Sequence, residues 1–263
     1  MIDLPFIYKQ ALIAAREASI VILDFYEKGF SSEIKSDGSP VTEADLASSK
    51  VIHQYLKETQ IPILGEESVH PDFKVRKEWT KNWCVDPLDG TKEFIKRNDE
   101  FSICIALIED NRSIFGVIAW PTEGKIIFGG ENIGAYISGF SMVETPEKWE
   151  KLSPKKEKNN PLVVIGSRSY HTPASHEFMG EMNENNSEVL FSQKGSALKF
   201  FDLAEGIADI YPRFAPTMEW DIAAGHAILR ELGGEVFDMY LGTPLVYNKE
   251  NLLNPHFVAK TQP

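Results

Sequence analysis

Three short stretches of the chain concentrate carboxylates beside turn-forming residues. Asp86-Pro87-Leu88-Asp89-Gly90-Thr91 sets two acids three positions apart and closes on a glycine and a hydroxyl. Gly65-Glu66-Glu67-Ser68 lies upstream and Trp220-Asp221 far downstream. Two carboxylates about 4 Å apart repel by roughly 4 kcal/mol at an effective dielectric near 20. A fold that gathers these groups therefore needs a cation among them. Hard oxygen donors next to a Gly-Thr turn suit Mg2+ and a phosphate. Each stretch has a plainer reading on its own. Glu66 and Glu67 are then solvated loop acids, Asp86 and Asp89 shape a turn, and Asp221 complements a helix dipole. Their joint placement at strand ends and helix starts favours a site.

The elements that must position these residues are legible in outline. Leu4 to Glu27 reads as a helix, with Pro5 in its first turn and Ile7, Ala11, Ala14, Ala18, Val21 and Phe25 on one face. A polar loop, Lys35-Ser36-Asp37-Gly38-Ser39-Pro40, precedes a second helix from Thr42 to about Thr59. There Thr42 and Asp45 make a capping box, and Val41 with Leu46 a hydrophobic staple. The capping role of Asp45 leaves it able to accept a bond from a distant hydroxyl. Ile61–Leu64 and Asn82–Val85 read as strands that deliver Glu66 and Asp86 at their ends, where α/β folds commonly hold ligands. Thr91 to Ile95 reads as a short helix whose free amides suit a phosphate. Phe101–Ile108 and Ser113–Trp120 form a hairpin about Glu109-Asp110-Asn111-Arg112, and Lys125–Gly130 and Ala135–Ser138 extend it. Glu144 to Asn160 is the candidate linker, dividing a half at 1–150 from a half at 155–263 within one catalytic unit. Beyond it strands at Leu162–Ile165, Val189–Ser192 and Ala208–Arg213 alternate with helices at Pro173–Asn183, Ser196–Glu205 and Glu219–Leu232. Strands near Val236 and Val246 follow.

Composition limits the function. The 263 residues suit one large domain or two small ones. A net charge of −12, from 27 basic and 39 acidic residues, argues against nonspecific nucleic-acid binding. Cys84 and Cys104 sit among apolar neighbours and read as buried, reduced thiols. The first residues lack the basic start of a secretory signal, and no apolar run approaches the roughly 18 residues of a membrane span. A cytoplasmic protein with at most peripheral membrane contact is expected. There is no G-x-S-x-G, C-x-x-C, H-E-x-x-H or Walker A pattern, and the acid spacing does not fit an EF-hand. Haloacid-dehalogenase-type phosphatases space their two acids by one residue near the chain start, unlike Asp86 and Asp89.

The three acidic segments together resemble those of the inositol monophosphatase superfamily. Lys92-Glu93-Phe94-Ile95-Lys96-Arg97-Asn98, Gly195-Ser196-Ala197-Leu198-Lys199-Phe200 and Tyr211-Pro212-Arg213-Phe214 are most similar to its 3′(2′),5′-bisphosphate nucleotidases of the CysQ type. That resemblance implies an α/β (α+β) fold, layered as an αβαβα sandwich. It implies a lithium-sensitive phosphatase of sulfur metabolism with two or three Mg2+ ions per site. Glu66, Asp86, the Leu88 carbonyl, Asp89 and Asp221 would hold metal. Thr91 and Asp45 would orient and deprotonate a water, with Glu66 in the catalytic set. Lys35 belongs to a loop that closes over an additional metal in relatives. Gly90, Thr91, Ser196, Lys199, Arg213 and Asp221 would contact substrate. The implied substrate is adenosine 3′,5′-bisphosphate or its 3′-phospho-5′-phosphosulfate relative, and the implied assembly a monomer or homodimer. An inositol or sugar monophosphatase, and a non-enzymatic metal- and phosphate-binding regulator, are the alternatives. Two departures stand out. Ala197 replaces a common second serine, and Ser167-Arg168-Ser169-Tyr170, with His171 next, replaces Ser-Arg-Ser-His, so neither Tyr170 nor His171 is given a role.

Overall fold

The computed structural model describes residues 3–35, 38–168, 172–185 and 188–261. Helix α1 (Phe6–Lys28) leads through a small hairpin, β1 (Ser32–Ile34) and β2 (Pro40–Thr42), to α2 (Glu43–Leu56). Then come β3 (Ile63–Gly65), α3 (Phe73–Arg76), β4 (Lys81–Asp89), α4 (Thr91–Lys96), β5 (Ser102–Glu109), β6 (Arg112–Trp120), β7 (Lys125–Gly130), β8 (Gly134–Gly139) and β9 (Glu150–Lys151). The rest of the chain gives β10 (Leu162–Gly166), α5 (Pro173–Asn185), β11 (Val189–Gln193), a 3-10 turn at Ser196–Leu198, α6 (Lys199–Ala204) and β12 (Ile210–Arg213). It ends with α7 (Glu219–Glu231), β13 (Glu235–Asp238) and β14 (Phe257–Lys260).

Strands β3 to β9 form one sheet in sequence order, with only the β3–β4 pair parallel. The second sheet runs β11-β10-β12-β14-β13, with β10 parallel to both neighbours. Both faces of the large sheet are buried, so its strands read as apolar runs rather than alternating ones. The period of two still sorts the side chains. Trp83, Val85, Ile103, Ile105 and Leu107 pack with α1 and α2 on the outer face, whereas Cys84, Cys104, Ala106 and Ile108 join α6 and α7 on the inner face. Helices α6 and α7 also touch Ile165, Tyr211, Val236 and Phe257 of the second sheet, whose far side packs with Phe178 of α5. The order is helices, sheet, helices, sheet, helix, the αβαβα sandwich expected. Cys84 and Cys104 are free and buried. Among the described residues no helix is long and apolar enough to cross a membrane.

Two expectations need correction, and a third gains detail. Strand β4 does not end at Val85 but continues to Asp89. Asp86 pairs with Cys104 and Asp89 with Ser102, so one extra residue bulges out between the acids. Pro87, which has no amide for the ladder, sits in that bulge. The candidate linker, Glu144–Asn160, is fastened along its length. Glu150 and Lys151 add a strand to the large sheet, Trp149 packs on Phe128, and Lys155 and Asn159 bind Asp209. Near Val246 there is no strand but a single bridge, Phe237 with Pro244. The missing partner is β14, which lies between β12 and β13.

Candidate active site

The acidic segments converge at the inner face of the large sheet. The β4 bulge presents Asp86 and Asp89, the turn after β3 brings Glu66 and Glu67, and the first turn of α7 brings Asp221. Carboxylate oxygens of Asp86, Asp89 and Asp221 lie within 4.8 Å of one another. A cavity of about 450 Å3 opens above them, and it is lined by every site residue expected from the sequence except Asp45.

Asp45, Asp86, Asp89 and Asp221 are each anchored by one oxygen to a backbone amide. Asp86 Oδ1 accepts from Leu88 N at 2.9 Å. Asp221 is the third residue of α7, and its Oδ2 accepts from the Met218 amide at 2.9 Å. Asp45 holds the same position in α2 and accepts the Thr42 amide through Oδ2 at 2.8 Å, as the capping box requires. Asp89 Oδ2 accepts from Ala197 N and from the Ser196 hydroxyl at 2.6 Å. The expected staple beside the box is weak, since Leu46 stays 55% exposed.

The electrostatics call for a cation. Burial, with the charges of Glu66, Asp89 and Asp221, pushes Asp86 well above the usual carboxylate range. Burial and Asp89 do the same to Asp221, and burial raises Glu66 against the opposing pull of Lys35. Hard divalent ions bound at about 2.1 Å set their oxygen donors roughly 3 to 4 Å apart, a spacing these side chains reach with small movements. The donor set therefore fits such an ion. Lys35 reaches the cluster from the β1–β2 hairpin, and its ammonium donates to Glu66 at 2.8 Å and to Glu67. Burial alone would lower its pKa, but the two glutamates outweigh burial and raise it. A protonated amine has no lone pair for a metal, so in this state Lys35 supplies charge to the cluster.

Thr91, at the start of α4, donates toward Asp45 Oδ1 at 3.0 Å and toward the Leu88 carbonyl at 3.2 Å. Asp45 is 1% exposed, and burial raises its pKa in spite of the hydroxyls of Thr42 and Thr91. It lies behind Thr91 and reaches the cavity through it. Gly90 caps α4 with φ near 90°, a conformation that favours glycine.

Opposite the acids stand two cations. Lys199 is buried at 3% exposure. Its ammonium donates to the Ser196 carbonyl and, at 3.3 Å, to that of Lys194, and lies 5.0 Å from the Tyr211 ring centroid. Burial and the nearby Arg213 pull its pKa down to about 8. Arg213 donates to the carbonyls of Ala215 and Pro216. Ser167 and Arg213 also border a second cleft of about 330 Å3, walled by Met179, Phe191 and Phe214. It lies beyond the carboxyl end of β10, whose neighbours β11 and β12 are reached by connections that leave in opposite directions, a topological switch point. Ser169, Tyr170 and His171 lie outside the described residues.

Three further residues escape a reading of the sequence. His70 donates from Nε2 to the Gly65 carbonyl at 2.8 Å and tilts against Trp220, at the rim of the cavity. Glu100 receives Arg168 through both oxygens and the Gly195 amide at 2.8 Å. Ser102 heads β5 behind Asp89. Only sheet register and loop docking bring these three to the site, so no local pattern marks them.

The fold and site define a member of a phosphatase family. The profile of the inositol monophosphatase family matches residues 3–262, and the chain belongs to that family. It is similar to the 3′(2′),5′-bisphosphate nucleotidase CysQ of Escherichia coli (strain K12), 39% identical over 254 residues that cover 92% of this chain and 95% of that one. It is also similar to the crystal structure of CysQ from Bacteroides thetaiotaomicron, with a TM-score of 0.86, 40% identity and 96% of each chain covered. The extragenic suppressor protein suhB of Bartonella henselae, with a TM-score of 0.77, 23% identity and 97% and 94% coverage, shares the fold.

Proposed function

We propose that the protein is a Mg2+-dependent 3′(2′),5′-bisphosphate nucleotidase. It removes the 3′-phosphate of adenosine 3′,5′-bisphosphate to give AMP, and accepts the 3′-phospho-5′-phosphosulfate relative. The two halves, 1–150 and 155–263, act as a single catalytic unit. The observation that carries the substrate class is the run of the cavity. It starts at the acids, passes Lys199 and Arg213, and adjoins the aromatic-walled cleft at Phe191 and Phe214. Acids, then cations, then an apolar cleft match a scissile phosphate with its metal, a second phosphate, and a base. The CysQ relative of Escherichia coli bears the same activity in its name.

Glu66, Asp86, the Leu88 carbonyl, Asp89 and Asp221 would hold the Mg2+ ions, which when bound supply Lewis acidity and charge neutralisation at the scissile phosphate. The remaining work falls to the chain. Thr91 Oγ1 passes its proton to Asp45 Oδ1 as it takes one from the attacking water, and the raised basicity of buried Asp45 suits it to receive that proton. The amides of Gly90 and Thr91 receive phosphate oxygens at the start of α4. Lys199 and Arg213 grip the phosphate that does not react. Arg213 can do so bidentately.

A phosphate-release assay over adenosine 3′,5′-bisphosphate, its phosphosulfate relative, inositol 1-phosphate and fructose 1,6-bisphosphate, with and without Mg2+, tests this. The expected result is Mg2+-dependent release from the two nucleotides at a kcat/KM at least tenfold above the others. A preference for inositol 1-phosphate overturns the substrate class, and no turnover of any compound overturns the enzyme.

A further inference from the structure

Asp89 differs from the other acids in what anchors it. Asp45, Asp86 and Asp221 bind amides within three residues of themselves. Asp89 is held from the opposite half of the chain, by Ser196 and Ala197. The Ser196 hydroxyl also lies 2.6 Å from that of Ser102, which is fully buried on β5 and 3.5 Å from Asp89 Oδ2. The direction of these bonds follows from the chemistry. An ionised carboxylate only accepts, so Ser196 gives its single proton to Asp89, and Ser102 must then give its own to Ser196. The relay runs Ser102 to Ser196 to Asp89 Oδ2. Among the described residues nothing donates to Oδ1.

The backbone is shaped around this contact. Ser196 has φ near 55°, a left-handed conformation that costs a non-glycine residue roughly 1–2 kcal/mol. Gly195 lets its loop lie against Glu93 and Glu100, since a Cβ there would fall 2.9 Å from Glu93 Cγ and 3.0 Å from the Glu100 carbonyl oxygen. Glu100 then holds the Gly195 amide. Strain kept at one serine beside a cluster of acids points to a task for that serine.

We propose that Ser102 and Ser196 are positioning residues. Their hydroxyl relay fixes Asp89 Oδ2 so that Oδ1 is left to the cation. The inference rests on the metal-dependent reading given above. Outer hydrogen-bond partners of metal ligands typically change affinity by 10–100-fold. The test is isothermal titration of the substrate-free protein with Mn2+ and with Mg2+, on wild type, Ser196→Ala, Ser102→Ala and the double variant. Circular dichroism and melting temperature are measured alongside. Ser196→Gly is added because its backbone suits glycine, so it keeps the loop and loses only the hydroxyl. Each variant at Ser196 should bind the cation roughly tenfold more weakly, Ser102→Ala several-fold more weakly, and the double variant no more weakly than Ser196→Ala. If wild type binds and both Ser196 variants match it within twofold, the positioning role is overturned while the metal site stands. A steady-state assay on the same variants accompanies the titration, and a rise in KM with cation affinity within twofold of wild type overturns the proposal. If wild type binds neither ion, the metal reading fails and takes this proposal with it.

Discussion

Thr91 has one proton and two acceptors in reach, Asp45 at 3.0 Å and the Leu88 carbonyl at 3.2 Å. Only the first can carry a proton away. Thr91→Val keeps the shape of the side chain and removes the relay, so kcat should fall by roughly 10²–10³-fold with KM little changed. A steady-state assay that finds less than a tenfold loss sinks the Thr91–Asp45 pair as the base. Lys199 supports a second prediction. Its ammonium, pulled down to about 8, is charged below that value and neutral above it. KM for adenosine 3′,5′-bisphosphate should therefore rise as pH passes about 8, while KM for a nucleoside 3′-monophosphate stays flat over the same range. Lys199→Ala should raise the bisphosphate KM at least tenfold at pH 7 and remove the step. Equal losses on both substrates would place Lys199 outside the second-phosphate site. The motif segments, through their resemblance to the family, named these groups. They did not name Ser102, Glu100 or His70, because a lone serine at the head of an apolar strand, a loop acid and a scattered histidine carry no local signal.

Among the elements, the segment that joins the two halves, the candidate linker, is tied down along its length. Asp209, 2% exposed, accepts from Lys155 Nζ at 2.7 Å, Asn159 N at 3.0 Å and Val163 N at 2.8 Å. Burial pushes its pKa up, but Lys155 and the two amides outweigh burial and hold it below its ordinary value of 3.8. Its contribution to stability is thus present above that value and is lost as pH falls below it. Asp209→Ala should cost about 3 kcal/mol in denaturant unfolding at pH 7, with activity per folded molecule retained. A cost under about 1 kcal/mol would mean that the tie does not hold the segment. Composition does not show this fastening, because Lys, Glu, Pro and Asn over Glu144–Asn160 describe solvent-facing chain whether it is loose or fastened. Strand β14 was missed for the opposite reason. Phe257-Val258-Ala259-Lys260 is only four residues long, too short to show a period of two, and its place is set by partners β12 and β13. The long elements were legible because α1 and the strands of the large sheet keep their pattern over many residues.

For the whole molecule, a bound cation is linked to folding. Any ion that binds the native site and not the unfolded chain stabilises by about 2.7 kcal/mol at a hundredfold excess over its Kd. Saturating Mg2+ should raise the melting temperature by several degrees, and a chelator should reverse the gain. A melting temperature indifferent to both would remove the metal site. This holds only because the donors are far apart in sequence and meet in the finished sandwich. Helix α7 shares with α6 the layer between the two sheets, is buried along Trp220, Ile222, Ala223, Ala224 and Ala227 to Leu229, and carries Asp221 at its start. During synthesis Glu66, Asp86 and Asp89 leave the ribosome long before Asp221 does. On the proposed ligand set, the emerging first half would carry only part of that set while its inner face is uncovered. Helices α6 and α7 cover that face and α7 brings Asp221, so cation capture at the proposed site would report that the two halves have met.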